Sequence, residues 1–319
     1  MEKNIVNRIK YYKYSNQREL RKLLQKRRFP IGIIKLKKAT LFNSDETQEF
    51  IRSRILNGQP SMIARYGSNE AELTADVMGV LLGCKKTIPE ERLKSINRDA
   101  GLFPYGEETA LKFGELMEKS SSNLDLLGFW DTGMQGYLID NICPKDLKVT
   151  ELRNLEPYYF DNPWSNALRG KRVVVVYPFK ETIETQYKKR DKLFPQRDVL
   201  PDFDLRVVKS VQTIARHKDS RFNSWFDGLE YMFQEIMKED FDVAIIGCGA
   251  YGFPLASKIK KEGKIAIHLG GATQILFGIK GKRWDNHEII SGFYNDEWVR
   301  PLDSEKPQNA QMVEDACYW

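Results

Sequence analysis

From Lys171 onward, apolar runs of strand length alternate with stretches of helical spacing, and this alternation constrains the fold more than any other feature. Val173–Phe179 is a continuous apolar run of the kind that is buried on both faces of a parallel sheet. A helix over Glu181–Lys192 follows, then a strand over Asp204–Val211 and a helix over Trp225–Lys238. Strand Phe241–Ile246, helix Phe253–Lys261, strand Lys264–Leu269 and helix Thr273–Ile279 complete the series. Strands that alternate with helices imply right-handed crossovers, hence an α/β, Rossmann-like, mostly parallel sheet with helices on both faces.

The first half carries weaker versions of the same pattern. Asp45–Asn57 is helical in spacing, Ser61–Tyr66 is a short strand, and Asn69–Leu82 places Leu73, Val77, Val80 and Leu81 on one helical face. Glu107–Lys119 gives another helix, Leu124–Trp130 another strand and Met134–Asn141 a further helix. Residues 147–170, with Pro157, a Tyr-Tyr-Phe cluster and Asp161-Asn-Pro-Trp164, suggest an ordered loop. Ligands of such sheets bind beyond the carboxyl ends of the strands. Gly67, Trp130-Asp131, Pro178-Phe179, Gly247-Cys248-Gly249 and Gly270-Gly271 are therefore expected on one rim.

Two of those strand ends are glycine turns. Phe241–Ile246 runs into Gly247-Cys-Gly249-Ala-Tyr-Gly252, and Lys264–Leu269 into Gly270-Gly271-Ala272-Thr273. Glycine removes the Cβ that holds a ligand away and permits positive φ, and helix N-termini offer N–H donors to anions. A Gly-x-Gly-x-x-Gly turn also suits a dinucleotide, but that fingerprint wants a carboxylate ending the next strand. Here the next strand ends Ile267-His268-Leu269. A sugar-nucleotide phosphate site, a nicotinamide or flavin site and a tight packing turn all stay open on these residues.

Arg65-Tyr-Gly67-Ser68-Asn69-Glu70 adds a cation and a carboxylate at the rim. Arg can clamp phosphate in a fork, while Glu70 can bind a divalent cation or act as a general base. The structural alternative is a buried Arg–Glu pair with Ser68 capping the next helix. Glu72 and Asp131 are further base candidates, Asp131 alternatively capping the Met134–Asn141 helix. His268 reads either as a core histidine or as a phosphate or ribose contact, and the Lys280–Trp284 run either as a solvated face or as a pyrophosphate contact.

Charge divides the chain. Residues 1–40 carry 13 Lys/Arg against 2 Asp/Glu, leaving 37 against 42 for the rest. Residues 1–44 form a basic helical arm before a domain over 45–319. The arm interleaves its charges with Ile5, Ile9, Tyr11, Tyr12 and Tyr14. That pattern suits an anionic membrane surface; a solvated basic helix and nucleic-acid binding are the alternatives, and no nucleic-acid partner is expected. The sequence shows no signal-peptide pattern and no apolar run long enough for a membrane span. Its four cysteines include no Cys-x-x-Cys, as in a reduced compartment. The expectation is a cytoplasmic protein, peripheral to the membrane.

The segment Ser61–Leu73 resembles the first-strand signature of GT-D-type glycosyltransferases, Arg-Phe/Tyr-Gly-Asp-Gly-Glu. Gly247–Ala256, His268–Gln274, Gly278–Trp284, Glu156-Pro-Tyr-Tyr, Asn162-Pro-Trp164 and Cys317-Tyr-Trp319 are similar to GT-D-like proteins of bacterial surface-polysaccharide synthesis, such as capsule and O-antigen. The resemblance spans about residues 45–319. It implies transfer of a sugar from a nucleotide donor, commonly a UDP-sugar, to a glycan or lipid-linked acceptor. It also implies Mn²⁺ or Mg²⁺ at an Asp-x-Glu motif. Glu70 matches the Glu, but Ser68 stands at the Asp position, which leaves metal dependence open. On this view Arg65, Glu70 and Asp131 are catalytic and Glu70 the metal ligand. Gly67, Ser68, Asn69, Gly247, Gly249, Gly252, His268, Gly270, Gly271 and Thr273 contact the donor. The rivals are an NAD(P)-dependent oxidoreductase and a non-catalytic sugar-nucleotide-binding protein.

Overall fold

In the computed structural model the described residues are 2–26, 39–130, 132, 134–214, 219–307, 310–312 and 316–319. Eight parallel strands form one sheet: β1 Thr40–Leu41, β2 Ser61–Ala64, β3 Leu126–Phe129, β4 Lys148–Glu151, β5 Arg172–Tyr177, β6 Asp204–Lys209, β7 Val243–Ile246 and β8 Ile265–His268. Their order is β1-β4-β3-β2-β8-β7-β5-β6. Between them run α1 Glu2–Lys26, α2 Ser44–Leu56, α3 Ser68–Leu81, α4 Glu90–Asp99, α5 Glu107–Ser121 and α6 Gln135–Asn141. The later helices are α7 Lys180–Tyr187, α8 Arg190–Leu193, α9 Trp225–Met237, α10 Gly252–Lys261 and α11 Thr273–Leu276. Among the described residues no helix is long and apolar enough to cross a membrane.

Successive side chains of a strand point to opposite faces, and the two cores divide accordingly. Met62 and Ala64, Val174 and Val176, and Ala244 and Ile246 face the core under α3, α5, α9 and α10. Ile63, Val173, Val175, Val243 and Ile245 face the other core, with α2, α7 and α11. The continuous apolar runs in the sequence are thus strands covered twice.

This division also makes the binding crevice. After β5 the chain leaves through α7 on one face, with Ile183 in that core, whereas after β7 it leaves through α10 on the other, with Phe253 and Leu255. The same divergence separates α3, after β2, from α11, after β8. Adjacent strands whose connections part to opposite faces leave a gap above their carboxyl ends.

Several sequence readings need correction. Residues 147–170 are not only loop: they supply β4, which pairs with β3 from Leu126↔Lys148 to Phe129↔Glu151, followed by short 3₁₀ turns. β1 and α4 carry too few apolar residues to announce themselves, and β1 pairs with a strand over a hundred residues further on, Thr40 opposite Lys148. The helix after β5 breaks into α7 and α8 at Lys188-Lys189. The one beginning at Thr273 ends at Leu276, ahead of Gly278 with its φ of +64°.

Candidate active site

Arg65 follows β2, and its guanidinium lies 5.0 Å from the centre of the Trp130 ring. Trp130 is itself held by a 2.9 Å hydrogen bond from Nε1 to the Tyr66 carbonyl. Tyr66 stacks on Phe253 at 4.5 Å, so the start of α10 supports the Arg65 loop from beneath. Arg65 Nε is buried and without a hydrogen-bond partner. The side chain reaches the second glycine turn: a Cβ on Gly270 would lie 2.9 Å from Arg65 Nη1. Gly270 also has φ +64°, so both its backbone and its lack of a side chain are needed there.

Two carboxylates sit near this cation. Glu70, in the first turn of α3, folds back over Gly67, where a Cβ would fall 1.9 Å from Glu70 Oε2. Burial raises the Glu70 pKa against the pull of its own backbone N–H and of Arg65. Glu156 is enclosed too; burial raises its pKa, opposed by a 2.5 Å hydrogen bond from Tyr158 Oη and by Arg65. Burial in turn lowers the Arg65 pKa, with Glu70, Tyr318 and Glu156 acting the other way.

The glycine turn after β7 faces the same space. Gly247 has no room for a side chain, since a Cβ would meet the Gly270 carbonyl oxygen and the Tyr177 ring at 2.5 Å. Gly249 differs: its φ is +57° and a Cβ would point into open space. Among the described residues no acceptor is found for the N–H groups of Gly249 and Ala250. Gly252 serves another purpose, because a Cβ there would strike His268 Cε1 at 2.2 Å. The third glycine makes a seat for the histidine ring. His268 is buried with Nδ1 3.2 Å from the Ile246 carbonyl, which fixes the proton on Nδ1 and leaves Nε2 as acceptor. Burial, helped by Arg65, lowers its pKa from 6.5 to about 3.

These groups line one cavity of about 210 Å³. Arg65, Gly67, Ser68, Asn69 and Glu70 come from the first half of the chain, and Gly247, Gly249, His268, Gly270 and Gly271 from the second. Two predicted residues lie elsewhere: Gly252 sits behind His268, and Thr273 is fully buried outside the lining. With only four residues, α11 offers no developed helix N-terminus for an anion. Asp131 lies outside the described residues. Ser68 is not a cap; Gly67 occupies that position, and Ser68 Oγ accepts from Thr132 Oγ1 at 3.1 Å. Glu72 is turned away and pairs with Arg92 on α4.

The cavity also contains residues beyond those singled out one by one from the sequence. Arg283, inside the basic Lys280–Trp284 run, lines it and donates through Nη1 to Tyr318 Oη at 3.1 Å. Tyr318 covers Gly271, whose Cβ would be 2.5 Å from Tyr318 Cε1. Asp99, at the end of α4, lines the cavity and binds Arg98 and Asn69. Gln212, in the loop after β6, also lines the cavity, with its amide unpaired among the described residues.

A hard divalent cation takes about six oxygen ligands, several of them carboxylates in an all-protein site. Among the described residues no group of three His, Cys, Asp or Glu side chains is placed to hold a metal ion. Glu70 alone, curled over Gly67 and enclosed, does not make such a cage.

No family model and no curated protein matches this sequence. The chain is similar to two solved structures, both covering 88% of this chain and 96% of their own. One, a selenomethionine-substituted structure of domain of unknown function 1792, is 14% identical with a TM-score of 0.46. The other, 13% identical with a TM-score of 0.44, is described as domain of unknown function 1792 with a distinct glycosyltransferase fold. Likeness this loose assigns no function, which must come from the site itself.

Proposed function

We propose that this chain is a glycosyltransferase that takes a sugar from a nucleoside-diphosphate donor, a UDP-sugar in the first instance, and passes it to a glycan or lipid-linked acceptor of a cell-surface polysaccharide. One observation carries the reading: Arg65 and Glu70, from the start of the domain, meet the Gly247–Ala250 and Gly270–Gly271 turns, about 180 and 200 residues later, around one cavity. In this reading the diphosphate lies against the N–H groups of Gly249 and Ala250, with Arg65 and Arg283 balancing its charge. Such preorganised donors act most strongly on the charge that develops in the transition state.

As the bond from the anomeric carbon to the phosphate oxygen breaks, its electron pair leaves with the diphosphate. The acceptor oxygen forms the new bond and loses its proton to a carboxylate. Glu70 is assigned that role, being the carboxylate nearest Arg65 on the cavity wall, with its basicity raised by burial. His268 Nε2 accepts a hydroxyl of the donor. None of these steps is routed through a metal, and Mn²⁺ and Mg²⁺ titrations test the cofactor separately.

The test is calorimetric titration with nucleoside diphosphates, their sugars and NAD⁺, with and without Mn²⁺ or Mg²⁺, followed by donor-turnover assays. UDP or another nucleoside diphosphate should bind and its sugar should turn over, while Glu70→Gln should keep binding and lose turnover. Preference for NAD⁺ over every nucleoside diphosphate refutes the reading in favour of an oxidoreductase. Binding with no turnover across donors and acceptors leaves only a sugar-nucleotide-binding protein.

A further inference from the structure

Over residues 5–16, whose side chains are described, α1 is docked by one face and exposed on the other. Tyr11 is buried, donates to the Ala75 carbonyl at 3.0 Å and packs edge-on against Tyr137 at 5.8 Å. Its seat is shaped for it, since a Cβ on Gly79 would lie 2.4 Å from Tyr11 Oη. Arg8 Nη2 binds the Gly83 carbonyl at 3.0 Å, and Tyr14 Oη binds Asp140 on α6. Two of the arm's aromatic residues are therefore anchors to the body rather than surface contacts.

The opposite face carries Ile5, Val6 and Ile9, which are 54%, 49% and 63% exposed. At about 100° per residue from Tyr11, Ile5 and Ile9 fall near 120° and 160°, Val6 near 220° and Lys13 near 200°. Lys10, also exposed, flanks this ridge. An apolar ridge set among lysines, on a segment with 13 Lys/Arg against 2 Asp/Glu, is complementary to a surface that is apolar inside and anionic outside. Two such helices would repel each other, and a nucleic acid would have no use for the isoleucines.

We infer that the Ile5–Val6–Ile9 face of α1, with Lys10 and Lys13, inserts into the headgroup region of an anionic lipid bilayer while Tyr11 and Tyr14 fasten the helix to the catalytic body. Arg8 and Tyr12 bind the carbonyls of Gly83 and Cys84 just after α3, and Tyr11 reaches Ala75 within it, so α1 is tied to the body along its docked face. A protein held this way has its body tied to the membrane surface. The inference stands independently of the donor chemistry.

The experiment is co-sedimentation of the full chain with phosphatidylcholine vesicles, with and without phosphatidylserine, at low salt. Binding should require phosphatidylserine. The I5D/I9D double variant should lower the partition coefficient on the order of tenfold or more, with nucleotide affinity unchanged. K10Q/K13Q should give a smaller loss. Should I5D/I9D fold poorly, Ile9→Trp with brominated lipid replaces it, and added quenching relative to the parent is expected. Equal binding to neutral vesicles, full binding by I5D/I9D or no added quenching at position 9 overturns the inference. So does a concentration-dependent dimer that I5D/I9D abolishes. Retention by I5D/I9D of polyanion binding that K10Q/K13Q loses points to nucleic acid instead.

Discussion

Replacing His268 with Gln should remove an acid-sensitive contribution to stability whose size follows from where the ring sits. The folded chain holds the ring neutral, with a pKa lowered to about 3 by burial and by Arg65. In the unfolded chain a histidine titrates near 6.5. Between those values the unfolded state binds a proton that the folded state does not. The contribution of His268 is therefore complete above about pH 6.5 and is lost progressively as pH falls toward 3. At about 1.4 kcal/mol per unit, acidification from pH 6.5 to 5 removes about 2 kcal/mol, and the full window on the order of 5 kcal/mol. Glu70 and Glu156 oppose this, since burial raises both and they bind protons in the folded state first as pH falls toward the ordinary carboxylate range. The histidine effect must then be read as a difference between the parent protein and His268→Gln, whose amide can still donate to the Ile246 carbonyl. Urea unfolding at about pH 7, 6 and 5 should show the parent losing about 2 kcal/mol relative to the variant. A difference in unfolding free energy that stays constant over this range would show that the ring is not held neutral.

Gly249→Ala should cost about 1–2 kcal/mol of stability from positive φ alone and should weaken nucleoside-diphosphate binding about tenfold in calorimetry, because the methyl enters open cavity; normal affinity removes this turn from the phosphate site. Gly247→Ala should instead impair folding, seen as loss of soluble protein or of the thermal transition, since its Cβ meets backbone at 2.5 Å. Arg65→Met should weaken inorganic pyrophosphate binding by roughly 10- to 150-fold, the equivalent of one charged hydrogen bond; unchanged pyrophosphate affinity counts against its clamping role. Ser224→Ala removes half of the capping box with Asp227 at the start of α9 and should cost about 1 kcal/mol in denaturant unfolding, with nucleotide affinity untouched.

The alternation of strand and helix after Lys171 was legible because burial on both faces leaves long apolar runs such as Val173–Val176, a local signal of composition. Glycine turns at the ends of β7 and β8 were legible for a similar reason: a backbone that must approach something closely needs glycine wherever its target comes from. What each glycine approaches was not legible. Gly249 faces open cavity, Gly247 faces backbone, and Gly252 makes room for His268. β1 and β4 were hidden because Thr40–Leu41 and Lys148–Glu151 lack the continuous apolar runs of the other short strands, and they become strands only by pairing with chain brought from elsewhere. Arg283, Tyr318 and Gln212 reach the cavity from separate loops. Sequence alone determined the layer architecture and the presence of close-approach turns, because both follow from local burial and backbone freedom. Tertiary structure decided which face of α1 is bare and which distant groups share one enclosed space with Arg65, because those depend on how the helices divide between the two sides of the sheet.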